Sequence, residues 1–302
     1  MWNEKIDLLV FGDTAIDHFY EVKNLPKINN AADVASFMKF YGGMGANTAV
    51  VARALGIKTA LVSVIGTDAE DYMKYMENLG IKLYLKGIFG DTTRSIFFKE
   101  DGGQISFFYK GVTEKLDELN LKKDLNLDRS DIESAECVYM ARTYLGLQRN
   151  VARYCKNVFL IYNPGYGVFE FKRIPDKFLS ILRKVDVLVL NQHELKHLKD
   201  IGFKLKFSLG PKIFLITKGA RGCNIYSKRA EINVPAYKTN VVDASGAGDA
   251  FNAGFISAII RNFDTYNAVK IGNATASFIV ESWGCQTNLP TWDAVIERSE
   301  KI

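Results

Sequence analysis

The sequence predicts an α/β protein: a mainly parallel sheet flanked by helices, with a small β-sheet inserted into it. Two observations predict this class. Short apolar runs of strand length alternate with helical patterns along most of the 302 residues. Strands covered on both faces read as continuous apolar runs, and each parallel crossover needs a connection long enough for a helix. The alternation also fails twice, each time in favour of extended chain.

Taken in order, residues 6–12 open the chain as a buried strand, and 32–41 have extended character as far as the Gly42-Gly43 pair. A helix follows over 46–55, then a strand over 59–65 and a helix over 70–79. Residues 95–99 and 104–109 flank Asp101-Gly102-Gly103, a hairpin signal. Beyond it, strands are expected over 137–140, 158–162, 187–190 and 213–217, with helices over 148–155, 176–184 and 194–198. The two irregular segments suggest one small antiparallel sheet, a lid of roughly 13–42 and 91–110 within a single domain of 1–302. Ligands of such folds bind at the carboxyl ends of the parallel strands.

Composition narrows the function. A 48% hydrophobic content supports a substantial core, and a net charge of +5 with dispersed basic residues points to neither nucleic acid nor membrane. Cys137, Cys155, Cys223 and Cys285 are widely spaced, as buried free thiols in a reducing compartment would be. No apolar run reaches membrane-span length, so a cytoplasmic protein is expected.

Two glycine-rich turns carry the chemistry. Gly42-Gly43-Met44-Gly45-Ala46-Asn47 leads into a helix, letting a ligand approach the backbone, with Asn47 able to bond sugar hydroxyls. Val242-Asp243-Ala244-Ser245-Gly246-Ala247-Gly248-Asp249 opens an apolar helix running through Ile260. Small residues where a helix begins leave N–H groups and the dipole available to an anion such as a phosphoryl group. Asp249 in the first turn is then placed to take a proton from an attacking alcohol. Acidic residues also favour first turns for dipole reasons alone. Neither turn matches the dinucleotide or P-loop fingerprints.

These turns, with Gly12-Asp13-Thr14-Ala15-Ile16-Asp17, Asn191-Gln192-His193-Glu194 and Thr217-Lys218-Gly219, occur in an order that resembles the PfkB (ribokinase) family of carbohydrate and nucleoside kinases. The resemblance runs the length of the chain. It implies a Rossmann-like ribokinase fold with a β lid, and the use of ATP and Mg²⁺. It further implies Asp249 as catalytic base, with Gly246, Ala247 and Gly248 as the anion hole. Asp17, Gly43 and Asn47 would hold the acceptor's sugar. Asn191, Thr217, Gly219, Gly222 and Asn273 fall at nucleotide positions. Glu194 would order Mg²⁺ through water, although Asn191 and Glu194 also have the spacing of a capping box. Asp243, Ser245, Gly284 and Asn288 match positions that bind K⁺ in relatives.

Within the family the chain is most similar to archaeal broad-specificity nucleoside kinases, at 272–278, 284–293 and 104–108. That implies phosphorylation of a nucleoside 5′-hydroxyl, of the inosine, guanosine, adenosine and cytidine type. Phe97, Phe98, Phe107, Phe108 and Tyr109 offer flat surfaces for a base, and Gln104 an edge donor, although alternate lid residues must face opposite sides. A sugar kinase is the alternative; for a sugar phosphate, Arg94 and Lys110 are the candidate clamp. A remoter alternative is a zinc hydrolase, because His193-Glu194-Leu195-Lys196-His197 is a literal H-E-x-x-H. Apolar lid edges would also offer a surface for a homodimer.

Overall fold

The computed structural model describes residues 5–100 and 103–302. The expected turn residues Asp101 and Gly102 and the side chain of Gln104 lie outside the described residues. Among the described residues, thirteen strands form two sheets. In chain order they are β1 (Leu8–Phe11), β2 (Ala15–Val22), β3 (Val34–Gly42), β4 (Thr59–Gly66), β5 (Lys82–Ile88), β6 (Thr93–Glu100), β7 (Gly103–Tyr109), β8 (Cys137–Ala141), β9 (Phe159–Asn163), β10 (Val187–Asn191), β11 (Ile213–Thr217), β12 (Cys223–Ser227) and β13 (Glu231–Val234).

The large sheet has the order β13-β12-β11-β10-β9-β8-β1-β4-β5. It is parallel from β5 to β11, and β12 and β13 add antiparallel strands at one edge. Its strands read as unbroken apolar runs because both faces are covered. Along β1, Leu8 and Val10 enter the core on one face, while Leu9 and Phe11 enter the core on the other. The chain moves outward from β1 to β5 and then resumes on the opposite side at β8. That reversal opens a crevice beyond the carboxyl ends of β1 and β8.

The second sheet has the order β3-β2-β6-β7. The expected antiparallel sheet is corrected: β2 and β6 pair in parallel at its centre, and only the outer pairs are antiparallel. The reason is continuity. β2 follows β1 and β6 follows β5 out of the same end of the parallel sheet, so both extensions run in one direction. Its inner face carries Phe19 stacked on Phe97 at 4.5 Å, with Phe40 and Trp283 edge-on to Phe19. The Lys99 ammonium sits 3.9 Å from the Trp283 ring centre and donates to the Val242 carbonyl at 3.1 Å. The small sheet is thereby seated on the loop before the glycine-rich helix, at Val242, and on the loop after the helix Thr265–Ile279, at Trp283.

Candidate active site

The helix Ala247–Ile260 begins at Gly246, whose φ of 72° is left-handed. A Cβ there would come within 2.7 Å of the Cys285 Cβ, so glycine is needed on two counts. Among the described residues no side chain caps this helix end, and Asp249 falls in its first turn. Asp249 is buried, and burial pushes its carboxyl up to about 7. The Asn47 amide opposes that shift by donating to Asp249 Oδ2 at 2.9 Å. Asn47 itself stands on the helix Met44–Ala54, which starts after Gly43 at φ 99°.

Asp17 lies on the inner face of the small sheet, opposite Phe40 of β3 and Ser95 of β6. Burial raises it to about 7, against hydrogen bonds from Ser95 and Cys285. The Cys285 thiol donates to Asp17 Oδ2 at 3.7 Å. Asp13, fully buried at the end of β1, accepts from Arg142 Nη1 at 2.7 Å and ties the ends of β1 and β8 together.

Asn191 ends β10 and caps the next helix. Its Oδ1 accepts from the amides of His193 at 2.8 Å and Glu194 at 2.9 Å. Glu194 returns a bond through Oε2 to the Asn191 N–H at 2.9 Å, completing a capping box. Burial nevertheless pushes Glu194 up to about 7. It lines a cavity of about 170 Å³ together with Asn191, Asp249 and Asn252. Asn252 Oδ1 is buried there without a hydrogen-bond partner among the described residues. A raised carboxyl beside an orphan oxygen suits a hydrated cation, since Mg²⁺ keeps several waters and takes few protein ligands. Among the described residues no group of three or more His, Cys, Asp or Glu forms a closed metal cage.

A second cavity, of about 340 Å³, includes Thr217, Gly219, Gly222 and Asn273 in its lining. Asn273 donates to the carbonyls of Val234 at 3.3 Å and Pro235 at 2.8 Å, so its amide nitrogen shapes the wall. Ala247 and Gly248 border both cavities, so the start of the glycine-rich helix is their common wall. Asp243 joins the loops behind it, accepting from the Ser245 amide at 2.9 Å and the Gly284 amide at 3.2 Å. Asn288 stands apart from that junction, donating to the Phe278 carbonyl at 2.6 Å.

Three sequence expectations are corrected here. Phe107 lies on the outer face of the small sheet against Phe98, 6.1 Å between ring centres; the ring on Asp17's face is Phe108, edge-on to Phe97. Arg94 also occupies the outer face, between Asp68 at 3.3 Å and Asp91 at 3.0 Å. Lys110 pairs with Glu170 at 3.2 Å, so neither cation reaches for a second phosphate. The H-E-x-x-H run builds no metal group among the described residues: His197 Nε2 lies 3.1 Å from the Phe171 carbonyl, and Glu194 is folded into its cap.

Reading by motif missed Asn252, Ser95, Cys285 and Gln286 as site residues. Asn252 follows Asp249 by three residues, a spacing that puts both on one helix face. Ser95 reaches Asp17 only through the parallel pairing of β2 and β6, which no local pattern reveals.

Residues 5–292 match the pfkB family of carbohydrate kinases. The chain is 34% identical over 301 residues to a nucleoside kinase of Methanocaldococcus jannaschii, covering 96% of this chain and 95% of that one. It is 29% identical over 306 residues to a nucleoside kinase of Methanothermobacter thermautotrophicus, covering 98% and 96%. A crystal structure of the Methanocaldococcus jannaschii nucleoside kinase, an archaeal member of the ribokinase family, superposes with a TM-score of 0.87, covering 99% of this chain and all of that one. The inosine complex of a Burkholderia thailandensis nucleoside kinase, 20% identical, shares the fold at a TM-score of 0.83, with 97% and 98% covered.

Proposed function

From the premise that this chain belongs to the pfkB family of carbohydrate kinases, we propose that it is an ATP-dependent nucleoside kinase acting on the 5′-hydroxyl. The observation that carries the reading is the common wall: one helix N-terminus borders both cavities, and the buried Asp249 stands in its first turn. A phosphoryl donor in the larger cavity would present its terminal group to Gly246, Ala247 and Gly248. Asp249 accepts the hydroxyl proton as oxygen attacks phosphorus, and a carboxyl near 7 suits a base that works close to neutrality. The helix amides meet the charge that builds on the transferred group. Asp17 and Asn47 hold the ribose hydroxyls, while Phe108 and Tyr166, 5.4 Å apart, offer faces to the base.

Mg²⁺, held by water near Glu194, Asn191 and Asn252, would neutralise phosphate charge. K⁺ is assigned to the Asp243–Ser245 and Gly284–Asn288 loops, with support from Asp243's tie between them. The zinc hydrolase reading is set aside by the family match.

Residues 13–42 and 91–110 are read as a lid over one domain. Its outer face exposes Phe37, Ile105 and Phe107 and is assigned to a homodimer contact. Among the described residues no helix is long and apolar enough to cross a membrane. Four buried, unpaired cysteines favour the cytoplasm.

The test is product formation with ATP and Mg²⁺ across inosine, guanosine, adenosine, cytidine, ribose and fructose 6-phosphate. Turnover of several nucleosides with little on free sugars is expected. Activity confined to ribose or a sugar phosphate would overturn the nucleoside assignment and leave a sugar kinase.

A further inference from the structure

We propose that Gln286 is a positioning residue for the catalytic base: it fixes the amide of Asn47 so that its nitrogen, not its oxygen, faces Asp249. This rests on the reading of Asp249 as base. The geometry starts from the Gly42 carbonyl, which can only accept. Tyr72 donates its single hydroxyl hydrogen to it at 2.8 Å. The Tyr72 oxygen is therefore left to accept, and Gln286 Nε2 donates to it at 2.8 Å. The same nitrogen donates to Asn47 Oδ1, also at 2.8 Å. With its oxygen held, Asn47 turns Nδ2 towards Asp249 Oδ2 at 2.9 Å. One backbone acceptor thus sets the direction of four successive hydrogen bonds ending on the base.

Gln286 keeps this orientation although its own Oε1 is buried without a partner among the described residues. Its position is fixed from a second side, since Tyr75 donates to the Gln286 carbonyl at 3.3 Å. Tyr72 and Tyr75 share one face of the helix Glu70–Asn78, and Tyr41 stacks on Tyr72 at 4.3 Å with the rings 1° from parallel. All the side chains of the chain from Tyr72 to Asp249 are buried. In that setting the polarity of the Asn47 amide matters. A donor stabilises the ionised carboxylate, while a carbonyl oxygen there would repel it.

The other ionisable groups around Asp249 are Asp13 and Asp17 from the β1–β2 segment, Tyr139 from β8 and Arg142 just after it, and Cys285 from the loop that also holds Gln286. The two aspartates disfavour ionisation and Arg142 favours it, and none of them is hydrogen-bonded to Gln286. Removing the Gln286 donor therefore acts on Asp249 through Asn47.

The experiment is the pH dependence of kcat/KM from pH 5.5 to 9.5, with the acceptor the wild type uses best and saturating ATP, Mg²⁺ and K⁺. Wild type is compared with Gln286→Met, Gln286→Leu and Tyr72→Phe. The expected result is an acid limb displaced upward by about one pH unit in both Gln286 variants, the effect of weakening one buried charge-assisted hydrogen bond. Activity at pH 6 then falls about tenfold, while the alkaline plateau stays within about threefold. Tyr72→Phe, which frees the Gln286 amide without removing it, should move the limb less in the same direction. An unmoved limb with a lowered plateau would overturn the proposal and leave Gln286 a packing residue. If neither Gln286 variant folds, Tyr72→Phe decides: a limb at the wild-type position overturns the proposal. A wild type that phosphorylates none of the acceptors removes the base assignment itself; an active wild type with unmoved variants removes only the role of Gln286.

Discussion

Two of the site's buried carboxylates, Asp249 and Asp17, come from regions built in different ways. Asp249 stands on a helix with ten consecutive buried residues, Asp249 to Ala258, packed against the helices Met44–Ala54 and Thr265–Ile279. Asp17 stands on a four-stranded sheet with one face turned outward, where Phe37 and Phe107 are more than half exposed. Position 249 is fixed by helix geometry and a hydrogen-bonded amide. Position 17 is fixed by strand register and by the seating of Phe19 on Trp283. Under the proposed function the difference implies a division of labour: Asp249 and its helix, in the core, would act on the transferred phosphoryl, and Asp17, on the small sheet, would select and enclose the acceptor. Substitutions in the core should therefore lower kcat, and substitutions in the small sheet should raise the acceptor KM.

The sharpest break in that comparison is Asp249→Asn. Turnover should fall by ~10²–10⁴-fold in steady-state assays, with ATP and nucleoside binding by calorimetry nearly intact. Near-normal turnover would remove Asp249 as the base. Gly246→Ala should follow, with kcat lowered ~10²-fold, because its Cβ collides with Cys285 and displaces the anion-binding amides. A lowered Tm should accompany it.

Asp17→Asn should instead raise the nucleoside KM by ~10-fold or more while leaving the ATP KM unchanged, as loss of a charged hydrogen-bond acceptor predicts. On the same sheet, Phe108→Ala should raise the nucleoside KM several-fold, and Phe107→Ser should stay within about threefold, since alternate residues face opposite sides. Equal effects at the two positions would refute the assignment of faces.

The smallest effect is on stability. Both carboxyls are raised by burial from 3.8 to about 7, so between those values the native state holds more protons than the unfolded chain. Stability contributed by the protonated forms is present below about pH 4 and is lost as pH rises through 7. In thermal melts without ligand, Asp17→Asn should therefore gain on the wild type between pH 5 and pH 8. A constant difference would show that Asp17 is ionised throughout.

The H-E-x-x-H run shows how a short motif misleads: its glutamate completes a cap that Asn191 begins, three residues earlier. The lid aromatics show a different failure. A hairpin signal tells that strands pair, but not which face meets the substrate, and the rings divided between the two sides.

The sequence by itself determined the alternation of buried strands and helices, the glycine-rich turns with left-handed Gly43 and Gly246, and the helix that carries Asp249. These are local: apolar runs, backbone freedom at glycine and helix spacing act over a few residues. Only the tertiary structure decided the parallel pairing of β2 with β6, the approach of Ser95 and Cys285 to Asp17, and the chain from Tyr72 through Gln286 to Asn47. Gln286 and Asn47 lie 239 residues apart, and a hydrogen bond across that distance leaves no periodicity in either segment. Such contacts exist because the sheet brings its strand ends to one crevice, and burial there makes the direction of each donor consequential.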